Sequence, residues 1–170
     1  MRYGIIGPTD VKKFCKILRL SEQAYTEYLI QLAEILARKK HELIVVPHKK
    51  SSSEFIARRY HAYDGEKVYG IIPMEDIEWG FDFLNQELVD EVINSKVWSN
   101  SSVQLLKQSD FLICVGQTAG SVMEICWTKW YKVKGIIVIR NFITSELPKE
   151  TIYKLKIKYV DMDDLESHIK

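Results

Sequence analysis

The chain has 170 residues, the usual size of one domain, and at this length about 70% of the unfolded chain's surface can be buried in a core. Its 24 lysines and arginines balance 23 aspartates and glutamates. A net charge of +1 gives no long-range field that would favour nucleic acid or an anionic membrane. We therefore expect a single domain over residues 1–170, with no nucleic acid as a partner, that recognises its ligand through local contacts.

The cysteines and the apolar runs indicate a cytoplasmic protein. Cys15, Cys114 and Cys126 are an odd number without a CxxC pair, and two of them lie in apolar runs, which favours reduced thiols. The opening MRYGIIG is too short in its apolar part for a signal peptide, and no stretch approaches the ~20 apolar residues of a membrane span. We expect no membrane partner.

Predicted strands and helices alternate through the first half of the chain. An apolar run at 3–7 predicts a strand that opens into the loop Gly-Pro-Thr, and helically spaced apolar residues predict a helix over 21–40. The other elements predicted here are a strand at 43–46, a polar loop at 47–53, a helix at 54–61 and a strand at 67–72.

The second half begins with an acidic and less regular region, residues 74–97, in which a helix is predicted around 86–93. The segment 99–107 then leads into a predicted strand at 110–115, followed by a helix at 120–131, strands at 135–139 and 154–160, and a helix at 161–168. Strands that are apolar throughout, separated by amphipathic helices, predict an α/β fold of three layers: a mostly parallel sheet with helices on both faces.

In an open sheet of this kind, the ligand crevice lies beyond the carboxyl ends of the strands, where the strand order reverses. The loops at 7–10, 47–53, 73–76 and 116–121 follow predicted strands and are therefore the candidates. Gly7, Pro8 and Thr9 are expected to contact ligand, although capping of the next segment is the commoner role of residues such as Thr9 and Asp10.

The loop VGQTAGSVMEI offers a phosphate site followed by a carboxylate. If a helix begins near Ala119 or Gly120, its first amides are unpaired donors for an anion. Glu124 lies one turn beyond Gly120, where it could bond ribose hydroxyls or act on an anomeric carbon, and spacing alone does not choose between them. The alternative is that Glu124 is only a carboxylate favoured by the helix dipole and Gly120 only a turn residue.

The loop PHKKSSS could form a second anion site through Lys49 and Lys50, or it could be a solvated connection. The four histidines are scattered without ligand spacing, so we expect no metal. There is no Walker sequence and no Gly-x-Gly-x-x-Gly, and we expect no resident cofactor.

Three segments carry a family resemblance: GIIGPTD, GEKVYGIIP and SDFLICVGQTAGSVMEI. With them the chain resembles the Rossmann-like superfamily that contains the lysine decarboxylase-like (Lonely-guy) phosphoribohydrolases and the molybdenum-cofactor carrier proteins. The resemblance implies a Rossmann-like fold, with ligand contacts in the last of these segments, at Gly116, Gln117, Thr118, Ala119, Gly120 and Ser121. It also implies a sugar-directed, catalytic role for Glu124.

The chain departs from the family pattern in three places. Gly116, Gln117 and Thr118 stand where the family has a proline and a glycine pair, and Ser101 stands where the hydrolases have an arginine that works with the glutamate. The family's glycine-rich turn after the second strand is replaced by PHKKSSS, in which Lys49 and Lys50 could compensate for the missing arginine. These departures favour a non-catalytic protein of the same family type that binds a phosphorylated nucleoside or a pterin cofactor, in which Glu124 only bonds hydroxyls of the ligand. The alternatives are a phosphoribohydrolase that cleaves nucleoside 5′-monophosphates and an enzyme similar to the deoxyribosyltransferases.

Aromatic residues near the end of the helix predicted at 120–131 suggest a subunit contact. Trp127, Trp130 and Tyr131 follow Glu124, and they could stack on a base, form an interface or pack in the core. We expect a homodimer through this helix.

Overall fold

The computed structural model describes residues 1–170 and contains one sheet of seven strands. The strands are β1 (Arg2–Ile6), β2 (Glu42–Val45), β3 (Val68–Ile72), β4 (Glu91–Asn94), β5 (Phe111–Cys114), β6 (Gly135–Ile139) and β7 (Ile157–Val160). The helices are α1 (Val11–Leu18), α2 (Glu22–Arg38), α3 (Ser52–Ala62), α4 (Ser101–Gln108), α5 (Ala119–Trp127) and α6 (Leu165–His168).

All strand pairs are parallel, in the order β4-β3-β2-β1-β5-β6-β7. The predicted α/β, Rossmann-like fold is confirmed. The strand order reverses at β1, because the chain builds outward through β2, β3 and β4 and then returns to the other side of β1 with β5. The carboxyl ends of β1 and β5 therefore flank the crevice expected at such a switch point.

The two faces of the sheet each pack against a separate apolar core. Ile5 and Ile113 point into the larger core with α2 and α3, whereas Ile6 and Leu112 point into the core on the opposite face. Successive side chains of a strand alternate between faces, so a strand covered by helices on both sides must be apolar at every position. None of the helices combines the length and the apolar composition needed to cross a bilayer.

The structure corrects the helix predicted around 86–93. Only a single 3-10 turn forms, at Gln86–Leu88, and the following residues form the edge strand β4, which pairs with β3. β4 has one neighbour and mostly exposed side chains, so it lacks the continuous apolar run by which the other strands were predicted. Pairing with β3 supplies the backbone hydrogen bonds that decide its conformation.

A separate helix, α1, precedes α2 and was not predicted. Asp10 caps α1 by accepting the N–H of Lys13 at 2.9 Å, and Arg19, in the left-handed conformation with φ 56°, ends it. Asp10 thus has the capping role that the sequence offered for this loop.

Candidate functional site

A cavity of about 440 Å³ lies beyond the carboxyl ends of β1, β2 and β5. Eight of the predicted site residues line it: Gly7, Pro8, Thr9, Thr118, Ala119, Gly120, Ser121 and Glu124. The loop after β1, the start of α5 and the second turn of α5 thus meet at the switch point.

The loop after β1 packs tightly against the start of α3. A Cβ at Gly7 would lie 2.7 Å from Cγ2 of Val115 and 2.9 Å from Oγ of Ser52, so a larger residue would push these segments apart. The carbonyl of Pro8 accepts the backbone N–H of Ser52 at 3.0 Å. This loop therefore forms a fixed wall of the cavity.

The N-terminus of α5 is closed by a reciprocal cap. Thr118 Oγ1 accepts the N–H of Ser121 at 3.2 Å, and Ser121 Oγ accepts the N–H of Thr118 at 2.7 Å. Capping leaves the N–H groups of Ala119 and Gly120 without a partner in the protein. Both residues are exposed to the cavity, and the helix dipole adds positive potential there, so this helix start favours an anion.

Gly116 and Gln117, two predicted contacts, do not line the cavity. Gly116 has φ +148°, and a Cβ there would lie 2.5 Å from the ring of Phe14. Its carbonyl accepts the Ser121 hydroxyl at 2.9 Å. Gln117 has a buried amide nitrogen without a hydrogen-bond partner. Gly116 was predicted to contact the ligand, but its missing side chain instead makes room for the ring of Phe14.

Glu124 lies at the side of the cavity, against α4. Its Oε1 accepts the hydroxyl of Ser102 at 2.8 Å. Burial raises the pKa of Glu124 to about 7, and the hydrogen bond from Ser102 acts in the opposite direction. The carboxyl group therefore exists in both protonation states near neutral pH, and it can donate or accept a hydrogen bond to a ligand.

Lys49 and Lys50 lie outside the cavity lining. The ammonium group of Lys49 donates to the carbonyl of Asp82 at 2.7 Å, and Lys50 is exposed in the left-handed conformation, with φ 70°. Their positions do not support the idea that they replace the missing arginine. The same loop contributes His48, Ser51 and Ser53 to the cavity instead.

The lining also contains residues that the sequence did not single out, although three of them lie in the candidate loop 47–53. They are Ile5, Ile6, Val46, His48, Ser51, Ser53, Trp98, Ser102 and Leu105, together with Ser101 at the position of the family arginine. Trp98 is held in place because its Nε1 donates to the carbonyl of Gly80 at 2.8 Å and its ring stacks on Phe83, with centroids 5.0 Å apart. The position of Ser51 could have been predicted, because a serine directly before a helix is a typical N-cap. In the structure its hydroxyl accepts the N–H of Glu54.

The lining contains no lysine or arginine, and its titratable side chains are His48 and Glu124. No group of three or more histidine, cysteine or acidic side chains is placed to hold a metal ion. The polar part of the cavity thus contains hydroxyl groups, backbone N–H groups, one carboxyl group and the imidazole of His48.

The aromatic residues after Glu124 divide between core and surface. Trp127 and Tyr131 pack against the smaller apolar core, whereas the side chain of Trp130 is 69% exposed. Of the three, Trp130 is the one available for a subunit contact.

No protein-family model and no curated protein sequence matches the chain. Solved structures do match it. The Moco carrier protein from Chlamydomonas reinhardtii aligns with a TM-score of 0.72 at 15% identity, over 99% of this chain and 94% of that one. The molybdenum cofactor binding protein from the phototrophic bacterium Rippkaea orientalis gives 0.67 at 17% identity, over 99% and 94% of the two chains.

The structural-genomics target TM1055 aligns with a TM-score of 0.67 at 16% identity, over 99% of this chain and 97% of that one. The resemblance predicted from three segments of sequence is thereby confirmed at the level of the fold, over nearly the whole chain.

Proposed function

We propose that the cavity binds a small phosphorylated molecule, a nucleotide or a phosphorylated pterin, without cleaving it. The observation that carries this proposal is the start of α5, where the N–H groups of Ala119 and Gly120 have no partner and open to the cavity. A phosphate there would accept both hydrogen bonds and lie at the positive end of the helix dipole.

The group attached to the phosphate would then lie beside Glu124. Residues four apart on a helix have side chains about 5–6 Å apart on one face, so a ribose extending from a phosphate at Gly120 reaches this carboxyl group. The hydroxyls of Ser101 and Ser102 lie in the same lining. This set of carboxyl and hydroxyl groups suits the hydroxyls of a sugar or another polyol.

The composition of the lining supports binding over catalysis. Cleavage of an N-glycosidic bond develops positive charge on the sugar and negative charge on the leaving base, and efficient enzymes stabilise both. The lining offers Glu124 for the first task but neither lysine nor arginine for the second. The family resemblance places an arginine where this chain has Ser101, which supports the same conclusion.

The names of the structural neighbours make a pterin ligand as reasonable as a nucleotide. Two of the matched proteins are described as a Moco carrier protein and a molybdenum cofactor binding protein. These proteins are 15% and 17% identical to this chain, too little for their ligand to be assigned to it by sequence. What both ligands share is a phosphate joined to a polar heterocycle, and the α5 site would recognise that shared part.

A phosphoribohydrolase is the second candidate, and the pKa of Glu124 favours it. A carboxyl group with a pKa of about 7 is partly protonated at neutral pH and can act as an acid, while its ionised form can act on the sugar. A binding protein and a hydrolase would therefore hold the ligand with the same residues and would differ in whether the N-glycosidic bond is cleaved.

A binding panel with a parallel cleavage assay tests both candidates. Calorimetry would compare nucleoside 5′-monophosphates, the same nucleosides without phosphate, and a phosphorylated pterin, while chromatography monitors release of free base. We expect binding that requires the phosphate, with no base released. Release that is lost in Glu124→Gln would establish the hydrolase, and equal binding of nucleosides with and without phosphate would contradict the phosphate site.

A further inference from the structure

A turn of acidic and apolar side chains projects from one edge of the sheet. It comprises residues 74–79 (MEDIEW), in the connection from β3 to the edge strand β4, and is called the acidic turn below. The side chain of Ile77 is 101% exposed and that of Trp79 is 70% exposed. Glu75, Asp76 and Glu78 flank them, and none of the three makes an ion pair.

The acidic turn has a fixed shape. The carboxylate of Asp76 accepts the backbone N–H of Trp79 at 2.8 Å and that of Trp98 at 2.9 Å. These bonds hold the turn closed and anchor it to the segment between β4 and α4. Ile77 and Trp79 are therefore presented to solvent from a preformed scaffold, which lowers the entropic cost of using them in an interface.

A cleft of about 490 Å³ lies toward the other edge of the sheet, at the start of β6 and just before β7. Five lysines surround this lysine cleft, and its apolar lining is formed by Tyr131, Val133, Ile136 and Leu155. The lysines are Lys129, Lys132, Lys134, Lys154 and Lys156. Lys134 pairs with Asp110 at 2.6 Å, and the other four make no ion pair.

The acidic turn and the lysine cleft complement each other in charge and in polarity. The turn carries three carboxylates without an ion pair, of which Glu75 and Glu78 are exposed, and four ammonium groups without an ion pair surround the cleft. An exposed tryptophan and isoleucine on the turn match an apolar lining in the cleft, and tryptophan is among the residues that most often carry binding energy in interfaces. The acidic turn and the lysine cleft have opposite charges, although the net charge of the whole chain is only +1.

We propose that the lysine cleft of one copy of the chain binds the acidic turn of a second copy. Opposite edges of a seven-stranded sheet are separated by about 29 Å at the usual strand spacing, so a chain cannot fill its own cleft. Each bound pair leaves one turn and one cleft free. The contact is therefore head to tail, and it builds open chains or closed rings rather than a two-fold dimer.

The mass of the protein in solution tests this contact. Sedimentation velocity in about 0.1 M NaCl should show a mass that grows with concentration, and in about 1 M NaCl the association should weaken at least tenfold, because the screening length falls from about 10 Å to about 3 Å. Two charge-reversed variants separate the surfaces: Lys132→Glu with Lys156→Glu in the cleft, and Glu75→Lys with Glu78→Lys in the turn. All four side chains are exposed, so both variants should fold.

Mixing the two variants gives the decisive result. Neither variant alone should grow in mass with concentration in about 0.1 M NaCl, because one of its two surfaces has lost the complementary charge. The cleft variant keeps an intact turn and the turn variant keeps an intact cleft, so mixing them should restore association, in complexes that contain the two variants in a 1:1 ratio.

A matched control changes two exposed lysines elsewhere, Lys12→Glu with Lys13→Glu on α1, and should associate like the unaltered protein. Circular dichroism verifies that every variant is folded. The proposal is overturned if the mass of the unaltered protein does not grow with concentration, if either variant associates as before, or if mixing the variants restores no association. Loss of association in the cleft variant alone would also overturn it, by showing that the cleft binds a different surface.

Discussion

The hydroxyl of Ser102 donates a 2.8 Å hydrogen bond to Oε1 of Glu124, and it joins α4 to α5 at the side of the cavity. Ser102 is the protein's hydrogen-bonding partner of this carboxyl group, whose pKa burial raises to about 7. The pair sets the charge of the cavity, because the lining contains no other acidic side chain.

Replacement of Glu124 by glutamine should stabilise the protein at alkaline pH. The pKa of Glu124 is about 7 in the folded chain, above its ordinary value of 4.5, so the folded state binds the proton more strongly than the unfolded state. The free energy of unfolding therefore falls as pH rises from about 4.5 to about 7 and stays low above that. Glu124→Gln removes this loss, and we expect it to gain about 1–3 kcal/mol at about pH 8 and much less at about pH 5.

Urea unfolding at the two pH values measures this difference. Glu54→Gln is the matched control, because the hydrogen bonds that Glu54 accepts from Asn85 and from the N–H of Lys50 outweigh burial and lower its pKa. Glu54→Gln should therefore destabilise the protein at neutral pH. A Glu124→Gln variant that loses stability at about pH 8 would show that the carboxylate is well solvated or paired in the folded protein.

Removal of the Ser102 hydroxyl should raise the pKa of Glu124 further. The hydrogen bond from Ser102 favours the ionised carboxylate, so Ser102→Ala leaves burial unopposed. A carbon-detected NMR titration of the Glu124 carboxyl reports the pKa directly. Ser102→Thr, which keeps a hydroxyl, should change it little. An unchanged pKa in Ser102→Ala would mean that water replaces the lost donor.

A negative charge at Gly120 should abolish binding of a phosphorylated ligand without destabilising the fold. A Cβ at this position has only open space around it, with Thr118 Oγ1 at 3.9 Å as the nearest atom. Gly120→Asp is therefore accommodated, and a carboxylate in the first turn of α5 is favoured by the helix dipole. We expect the melting temperature to be retained and ligand affinity to fall at least tenfold.

Gly120→Asn is the isosteric control for this experiment, because it adds the same volume without the charge. Calorimetry with a nucleoside 5′-monophosphate or a phosphorylated pterin should show a smaller loss for asparagine than for aspartate. Equal losses would assign the effect to volume, and equal retention would place the phosphate away from α5.

Gly116→Ala should destabilise the protein by about 2 kcal/mol or more. The φ of Gly116 is +148°, which side chains rarely adopt, and the new Cβ would lie 2.5 Å from the ring of Phe14. Gly80→Ala is the control: Gly80 also has a positive φ, +63°, but nothing lies within 4 Å of its added Cβ, so it should lose about 1 kcal/mol. Denaturant unfolding compares the two, and equal losses would show that Phe14 moves aside freely.

Sequence predicted the fold well wherever strands are buried on both sides. β1 and β5 are apolar at almost every position, because each has to fill a core on both faces of the sheet. The edge strand β4 lacks that pattern and was mistaken for a helix. Only its pairing with β3, through contacts between distant segments of the chain, gives it the strand conformation.

Within the site, the sequence identified the segments whose function depends on local geometry. The start of α5 and the position of Glu124 one turn later follow from helix periodicity and capping, which act over a few residues. Tertiary structure decided the remainder. In the folded protein Lys49 and Lys50 lie outside the cavity lining, whereas His48 lies in it. Trp98, from a segment distant in the chain, also lines the cavity.

The sequence by itself thus determined the layered fold and the location of the helix start at the cavity, because burial patterns and helix capping depend on residues that are close together in the chain. Only the tertiary structure decided the state of Glu124. Its pKa depends on how completely other segments exclude water from it and on a hydroxyl supplied by Ser102, 22 residues earlier in the chain. Desolvation is a property of the packed molecule, and no local pattern specifies it.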